Sequence, residues 1–177
     1  IKFERAEENQ LFYEYLNYLE KKRVEFAPLI EEMETLKADG GETSAIEAQM
    51  ASINEEILNF QLNYSIKNGG SISAAVIKAG IETESPEFRE DDSVEEQTRK
   101  FYIYREHYFD NLDLKDERLI RTPILFQEVN EFVVGNNYGI PDSISKAIDI
   151  TLSQMNPKGE TFKFFLVHYL NKYAKSK

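Results

Sequence analysis

Apolar positions recur with the period of an α-helix from about residue 5 to residue 38. The positions of this stripe follow one another at alternating spacings of four and three, and Leu29 and Leu36 widen it. They are Phe12, Leu16, Leu19, Arg23, Phe26, Ile30, Met33 and Lys37. Pro28 lies inside the pattern, where a proline removes one backbone hydrogen bond and clashes with the preceding turn. We therefore expect either a kink near residues 23–28 or two helices that meet there.

A second long helix is predicted after the glycine-rich stop at residues 39–41. Ser44 and Glu47 have the spacing of a capping box, which begins a helix. The apolar stripe that follows consists of Ile46, Met50, Ile53, Ile57, Phe60 and Tyr64. Two long amphipathic helices joined by a short turn bury their stripes against each other. Residues 1–68 are therefore predicted to form an antiparallel helical hairpin.

Shorter helical segments fill the rest of the chain, and no stretch alternates with a period of two for long enough to predict a strand. Thr122-Pro123 and Pro141-Asp142 are typical helix starts. Helices are predicted over residues 71–79, 94–108, 123–134, 141–155 and 160–175. The expected fold is all-α: the long hairpin, followed over residues 71–177 by a compact bundle of about four to five helices.

Composition excludes several classes of function. The 21 Lys and Arg are outnumbered by 32 Asp and Glu, which gives a net charge of −11. Nucleic acids are bound by clustered basic residues, so no nucleic-acid partner is expected. The chain has no Cys, which excludes thiol nucleophiles, thiolate metal sites and redox pairs. No apolar run approaches the ~20 residues of a membrane span. Because the sequence opens at Ile1 without an initiator Met, we expect a piece of a longer protein.

One loop carries the best candidates for a chemical site. Its oxygen-rich side chains could suit a hard cation such as calcium, but their spacing is not that of an EF-hand. The arginines of the loop can instead brace its carboxylates through bidentate hydrogen bonds. The loop residues are His107, Asp110, Asn111, Asp113, Asp116, Arg118 and Arg121. We favour a structural role for this loop, and we predict no catalytic, cofactor-binding or metal-binding residue.

The last predicted helix is apolar on nearly all sides. Such a helix is normally buried all round, either by its own domain or by another. The residues Phe165, Tyr169 and Tyr173 lie along one face of it. We expect this face to dock on another domain.

Residues 107–123 read His-Tyr-Phe-Asp-Asn-Leu-Asp-Leu-Lys-Asp-Glu-Arg-Leu-Ile-Arg-Thr-Pro. This stretch resembles the helical region, a domain of unknown function, that precedes the thioredoxin-like domain in a group of Gram-negative bacterial thiol–disulfide oxidoreductases. Pro141-Asp142-Ser143, Asn171-Lys172-Tyr173 and the stretch 68–79 are similar to the same region, and the likeness extends from about Glu8 to the end. It is specific at residues 107–123 and weaker elsewhere.

The resemblance implies a location in the cell envelope, either periplasmic or lipid-anchored. It also implies that the redox Cys-x-x-Cys would follow Lys177, in a thioredoxin-like domain of the same polypeptide. Because this chain has no thiol, no catalytic residue is carried over from the family.

Three functions remain open on the sequence. The first is a non-catalytic helical accessory domain that positions or docks a thioredoxin-like domain or its protein client. The second is a stand-alone module that binds a peptide or an apolar ligand. The third is a hydrolase or metal enzyme built on His107 and the loop at residues 110–116, which has no complete ligand set.

Overall fold

The computed structural model describes residues 7–137 and 139–174, and within them the chain is helical with no β-strand. The predicted all-α class is confirmed. Two 3-10 turns, Glu117–Arg121 and Gly135–Asn137, were not predicted. The seven α-helices of the described residues are α1 Glu7–Ala38, α2 Ser44–Lys67, α3 Ile72–Ala79, α4 Val94–His107, α5 Pro123–Val133, α6 Pro141–Gln154 and α7 Glu160–Tyr173.

The chain divides into two compact units, the first ending at Lys78 and the second beginning at Ala79. The expected domains at residues 1–68 and 71–177 stay a prediction. In the first unit α1 is a single helix with Pro28 inside it. Of the two alternatives expected there, two separate helices are excluded, and a kink stays a prediction. None of the described helices is long and apolar enough to cross a membrane.

Side-chain contacts pair α1 with α2 in opposite directions. Tyr18 stacks on Phe60 with ring centroids 3.7 Å apart, and Lys22 Nζ lies 2.6 Å from a carboxylate oxygen of Glu56. The contacting residue numbers increase along α1 while they decrease along α2, so the two helices are antiparallel. On α2 the predicted stripe is at least half-buried throughout, as expected.

The predicted stripe of α1 is correct only in part. The positions that are half-buried as predicted are Leu19, Phe26, Leu29, Met33 and Leu36. Leu16 and Arg23 are exposed, whereas their neighbours Tyr15 and Lys22 are partly covered. Tyr15 accepts a hydrogen bond of 2.9 Å from Gln61 of α2. The polar ends of Tyr15 and Lys22 are bonded to side chains of α2, and the apolar parts of the same two side chains pack against that helix.

The predicted capping box at the start of α2 is also wrong. Ser44 is the first residue of the helix, and its hydroxyl donates to Glu42 rather than capping the helix. The N-cap is Thr43, which makes no side-chain cap hydrogen bond. A complete capping box occurs instead at α4, where Ser93 accepts from the backbone N–H of Glu96 and the Glu96 carboxylate accepts from the Ser93 N–H.

We expect Ser93→Ala to lower the free energy of unfolding by about 1 kcal/mol, because it removes the side-chain acceptor of the Glu96 backbone N–H at the start of α4. Urea unfolding followed by circular dichroism measures the change. The matched control is Ser44→Ala, which removes no cap and should cost no more than a few tenths of a kcal/mol. Equal losses in the two variants would contradict the assignment of the caps.

The core of the second unit is built around α5. Four of its residues are buried at helical spacing: Leu125, Val129, Phe132 and Val133. α5 packs against α6 and both 3-10 turns, and α7 packs against α6 and the first turn. Burial of these apolar side chains supplies the main driving force for folding of this unit.

Candidate functional site

The loop predicted from the sequence is held together by local contacts. His107 Nδ1 lies 2.8 Å from a carboxylate oxygen of Asp110. Asn111 donates to the backbone oxygen of Ile81 at 3.1 Å, and Asp113 accepts from the N–H of Lys115 at 2.9 Å. These side chains satisfy backbone groups and each other, which is how Asp and Asn commonly stabilise turns.

Asp116 is the N-cap of the first 3-10 turn and accepts from the N–H of Arg118. The Arg118 guanidinium makes a bidentate pair with the same carboxylate at 2.9 and 2.7 Å, which lowers the pKa of Asp116. Arg121, at the end of the turn, is exposed. The neighbouring Glu117 accepts from the N–H of Glu160 at 2.8 Å and thereby caps α7. The loop therefore anchors the start of the last helix.

No three His, Asp or Glu side chains lie close enough together to hold a metal ion anywhere in residues 7–137 and 139–174. The hydrogen bonds of the loop side chains are made in separate local pairs and to backbone groups, and they do not converge on one point. The second histidine, His168, is on α7 with its ring against Phe126 and Phe164, and burial lowers the pKa of its imidazole.

The predicted docking face of α7 needs correction. Phe165 and Tyr169 are only 0% and 3% exposed, because they pack inside the second unit, and the Tyr169 hydroxyl is within hydrogen-bond reach of the Val129 backbone oxygen. Tyr173 is half-buried. The exposed apolar residues of this helix form a different line, which we term the α7 strip. It consists of Phe164, Val167 and Leu170, which are 45%, 54% and 60% exposed.

A pocket of about 290 Å³ in the second unit is acidic and aromatic. Glu82, Glu128 and Glu131 line it together with Tyr104 and Tyr108. The Tyr108 hydroxyl donates to Glu128 at 3.1 Å. Burial, and after it the negative charge of Glu131, raises the pKa of Glu128, which therefore takes up a proton more readily than an exposed glutamate.

A second cluster, which the sequence did not reveal, surrounds Arg105 of α4. We term it the Arg105 cluster and define it by Arg105, Asn137 and Ser143. The Arg105 side chain donates from Nη1 to Asn137 Oδ1 at 2.8 Å and to Ser143 Oγ at 3.2 Å. Its guanidinium carbon lies 5.3 Å from the ring centre of Phe101 and 5.0 Å from that of Phe132. The cluster joins α4, the second 3-10 turn and α6.

Asn137 is the hub of this cluster. It is buried, and its amide nitrogen donates to the backbone oxygens of Phe132 and Val133 at 2.7 and 3.0 Å. Those carbonyls belong to the last turn of α5, which has no intrahelical donors for them. The amide oxygen of Asn137 accepts from Arg105 and Ser143. The only sequence signal for the cluster was an arginine spaced four residues from Phe101 in an aromatic helix.

Comparison with known proteins gives one match. Residues 40–177 match the family described as a domain of unknown function, DUF5106. The match covers α2 to α7, and it includes the loop at residues 107–121 and the Arg105 cluster. No curated protein and no solved structure matches the chain.

Proposed function

We propose that this chain, which belongs to the DUF5106 family of domains of unknown function, is a non-catalytic helical accessory domain that docks a thioredoxin-like domain of the same polypeptide. The observation that carries the proposal is the α7 strip. Contiguous exposed apolar surface on a folded unit marks sites of protein interaction. Phe126 of α5 extends the strip, because its ring centre lies 6.2 Å from that of Phe164.

The choice of partner rests on the resemblance of residues 107–123 to the region that precedes such domains. The same resemblance motivates a location in the cell envelope, periplasmic or lipid-anchored. The chain has no thiol, so any thiol–disulfide exchange belongs to the partner domain. In this proposal the helices position that domain or its protein client.

The complete open reading frame is the first test. A Cys-x-x-Cys within a thioredoxin-like domain after Lys177 and an export signal before Ile1 would support the proposal. A reading frame without a thioredoxin-like domain would overturn the choice of partner.

The second test compares thermal unfolding of residues 1–177 with that of the full-length polypeptide. Docking stabilises the folded state by mass action, so we expect the midpoint of the helical region to rise by at least about 2–4 °C, the shift produced by ~1 kcal/mol in a chain of this size. Equal midpoints would count against docking.

Variants at the strip separate docking from folding. Val167→Asp combined with Leu170→Asp should abolish the rise of the thermal unfolding midpoint that we expect in the full-length protein. In residues 1–177 alone each exposed substitution should change the free energy of unfolding by roughly 0.5 kcal/mol or less. Val94→Asp, at another highly exposed apolar position, is the matched control and should leave the rise unchanged.

The alternative, a stand-alone module that binds a peptide or an apolar ligand, is favoured by a separate observation. The Arg105 cluster borders an apolar groove, and that groove supports an inference that does not depend on docking.

A further inference from the structure

Arg105 is a buried cation without a carboxylate partner among the described residues. The residue is only 8% exposed, and both of its hydrogen-bond acceptors, Asn137 and Ser143, are neutral. Its Nη2 group is buried and has no hydrogen-bond partner in the described part of the chain. Buried charges in proteins are normally paired, because an isolated ion loses its hydration without compensation. The two aromatic faces beside the guanidinium offset only part of that loss.

The N-terminus of α6 lies beside Arg105 and adds a partial positive charge to that of the guanidinium. Ser143, which contacts Arg105, is in the first turn of this 14-residue helix. The N-cap is Ile140, which offers no side-chain acceptor, so the first N–H groups of the helix are not capped by a side chain. A helix N-terminus carries a partial positive charge and attracts anions. The side chain that links the guanidinium to this helix N-terminus by a hydrogen bond, Ser143, is neutral.

A groove of about 510 Å³ opens at this point between α4 and α6. That volume is within the usual range for small-ligand sites. Its walls are mainly apolar, from Phe101, Tyr102, Ile140 and Ile150, and Arg105 and Ser143 are part of its lining. An adjoining groove shares several of these residues and contains a second buried donor without a partner, Nδ2 of Asn136. Both unsatisfied groups are donors, so what each groove lacks is a hydrogen-bond acceptor.

We propose that the groove between α4 and α6 binds a small organic acid, with its carboxylate at Arg105 and the N-terminus of α6 and its apolar body along Phe101, Tyr102 and Ile150. A carboxylate matches the planar donor fork of a guanidinium. A polyanion does not suit the site, because the chain carries a net charge of −11 and the groove has only two basic residues, Arg105 and Lys146.

Two carboxylates of the chain also border the groove, Glu106 and Asp142. Both are exposed, and neither has a hydrogen bond to Arg105 in the structure. Asp142 is in the first turn of α6, where a negative charge stabilises the helix. The carboxylate of a ligand, in contrast, would arrive with an apolar body that fits the groove.

Isothermal titration calorimetry on residues 1–177 tests the site with defined probes. Octanoate represents a free acid, and N-acetyl-Ala-Phe represents the C-terminus of a peptide. Each is compared with its neutral amide, which we expect to bind at least about tenfold more weakly because the charge-assisted hydrogen bonds are lost. The stronger acid identifies the source of the carboxylate. Equal binding of acid and amide, or no binding of either acid, would overturn the proposal.

Two variants place the binding in the groove. Arg105→Gln should abolish discrimination between acid and amide, whereas Arg99→Gln, an exposed arginine of the same helix, should not. If Arg105→Gln does not fold, Ile150→Glu tests whether the acid binds in the groove. It adds a negative charge at an exposed groove position and should weaken acid binding at least about tenfold. Ile103→Glu, exposed on α4 outside the groove lining, is its control.

The internal carboxylates give a further way to contradict the proposal. We expect Glu106→Gln and Asp142→Asn to leave acid binding intact or to strengthen it, because each removes a negative charge at the edge of the groove. If either variant lowers the unfolding midpoint as far as Arg105→Gln does, the chain supplies its own partner for Arg105, and the site does not exist as proposed.

Discussion

Phe132→Ala is expected to lower the free energy of unfolding by about 3–5 kcal/mol, the usual loss for a fully buried aromatic side chain. Phe132 is 0% exposed, and its ring centre lies 4.7 Å from that of Phe109 and 5.0 Å from that of Tyr108. Truncation leaves a cavity in the core and also removes one aromatic face from the buried Arg105 guanidinium. Single domains have total stabilities of ~5–15 kcal/mol, so the second unit would lose a large share of its stability.

Urea unfolding monitored by far-ultraviolet circular dichroism measures the loss. The matched control is Phe88→Ala, because Phe88 is 51% exposed and its truncation should cost roughly 1 kcal/mol or less. If the two variants unfolded at the same urea concentration, the core of the second unit would not be centred on α5 as described.

The hydrophobic pattern predicted the helices well because each forms from contacts close in sequence. It predicted the buried face of α2, where one stripe is clearly more apolar than the other sides. It predicted only part of the buried face of α1, because this helix also has large apolar residues that are exposed, among them Phe12, Leu16 and Ile30. The sequence pattern does not show which face of α1 is buried, because the face that packs on α2 contains tyrosines and Lys22. The charged tip of Lys22 pairs with Glu56 of α2.

The same ambiguity explains the misplaced docking face. Apolar residues nearly encircle α7, so either side could be the core. Packing selects Phe165 and Tyr169, four residues apart, and leaves Phe164 and Val167 at the surface. The choice depends on where α5 and α6 lie, and that information is not local to α7.

Part of the candidate site could be predicted and part could not. Asp116 and Arg118 are two residues apart, and their pairing follows from local chemistry. Arg105 and Asn137 are separated by 32 positions, and neither belongs to a recognisable motif. Arg105 precedes Glu106 in a helix with charged residues, and nothing in this local sequence marks it as buried. Its burial becomes apparent only when α4, α5 and α6 are placed together.

Asn137→Ala is the second substitution with a large expected effect. It removes four hydrogen bonds in one step, two to the last carbonyls of α5 and two from Arg105 and Ser143. Each buried partner left unpaired costs about 1–3 kcal/mol, and Ser143 remains for Arg105, so we expect a total loss of ~3–4 kcal/mol. Thermal and urea unfolding both measure this loss of stability.

The preceding residue provides a sharp control, because Asn136 is in the same 3-10 turn and has the same side chain. Its amide nitrogen is buried without a partner in the described residues, so Asn136→Ala removes no hydrogen bond of that group and should change stability by roughly 1 kcal/mol or less. A large loss at Asn137 with little at Asn136 would establish that side-chain hydrogen bonds, and not the turn itself, hold the end of α5 to α4 and α6. Equal losses at the two positions would instead assign the effect to the backbone of the turn, and the Arg105 cluster would lose its role as the link between these helices.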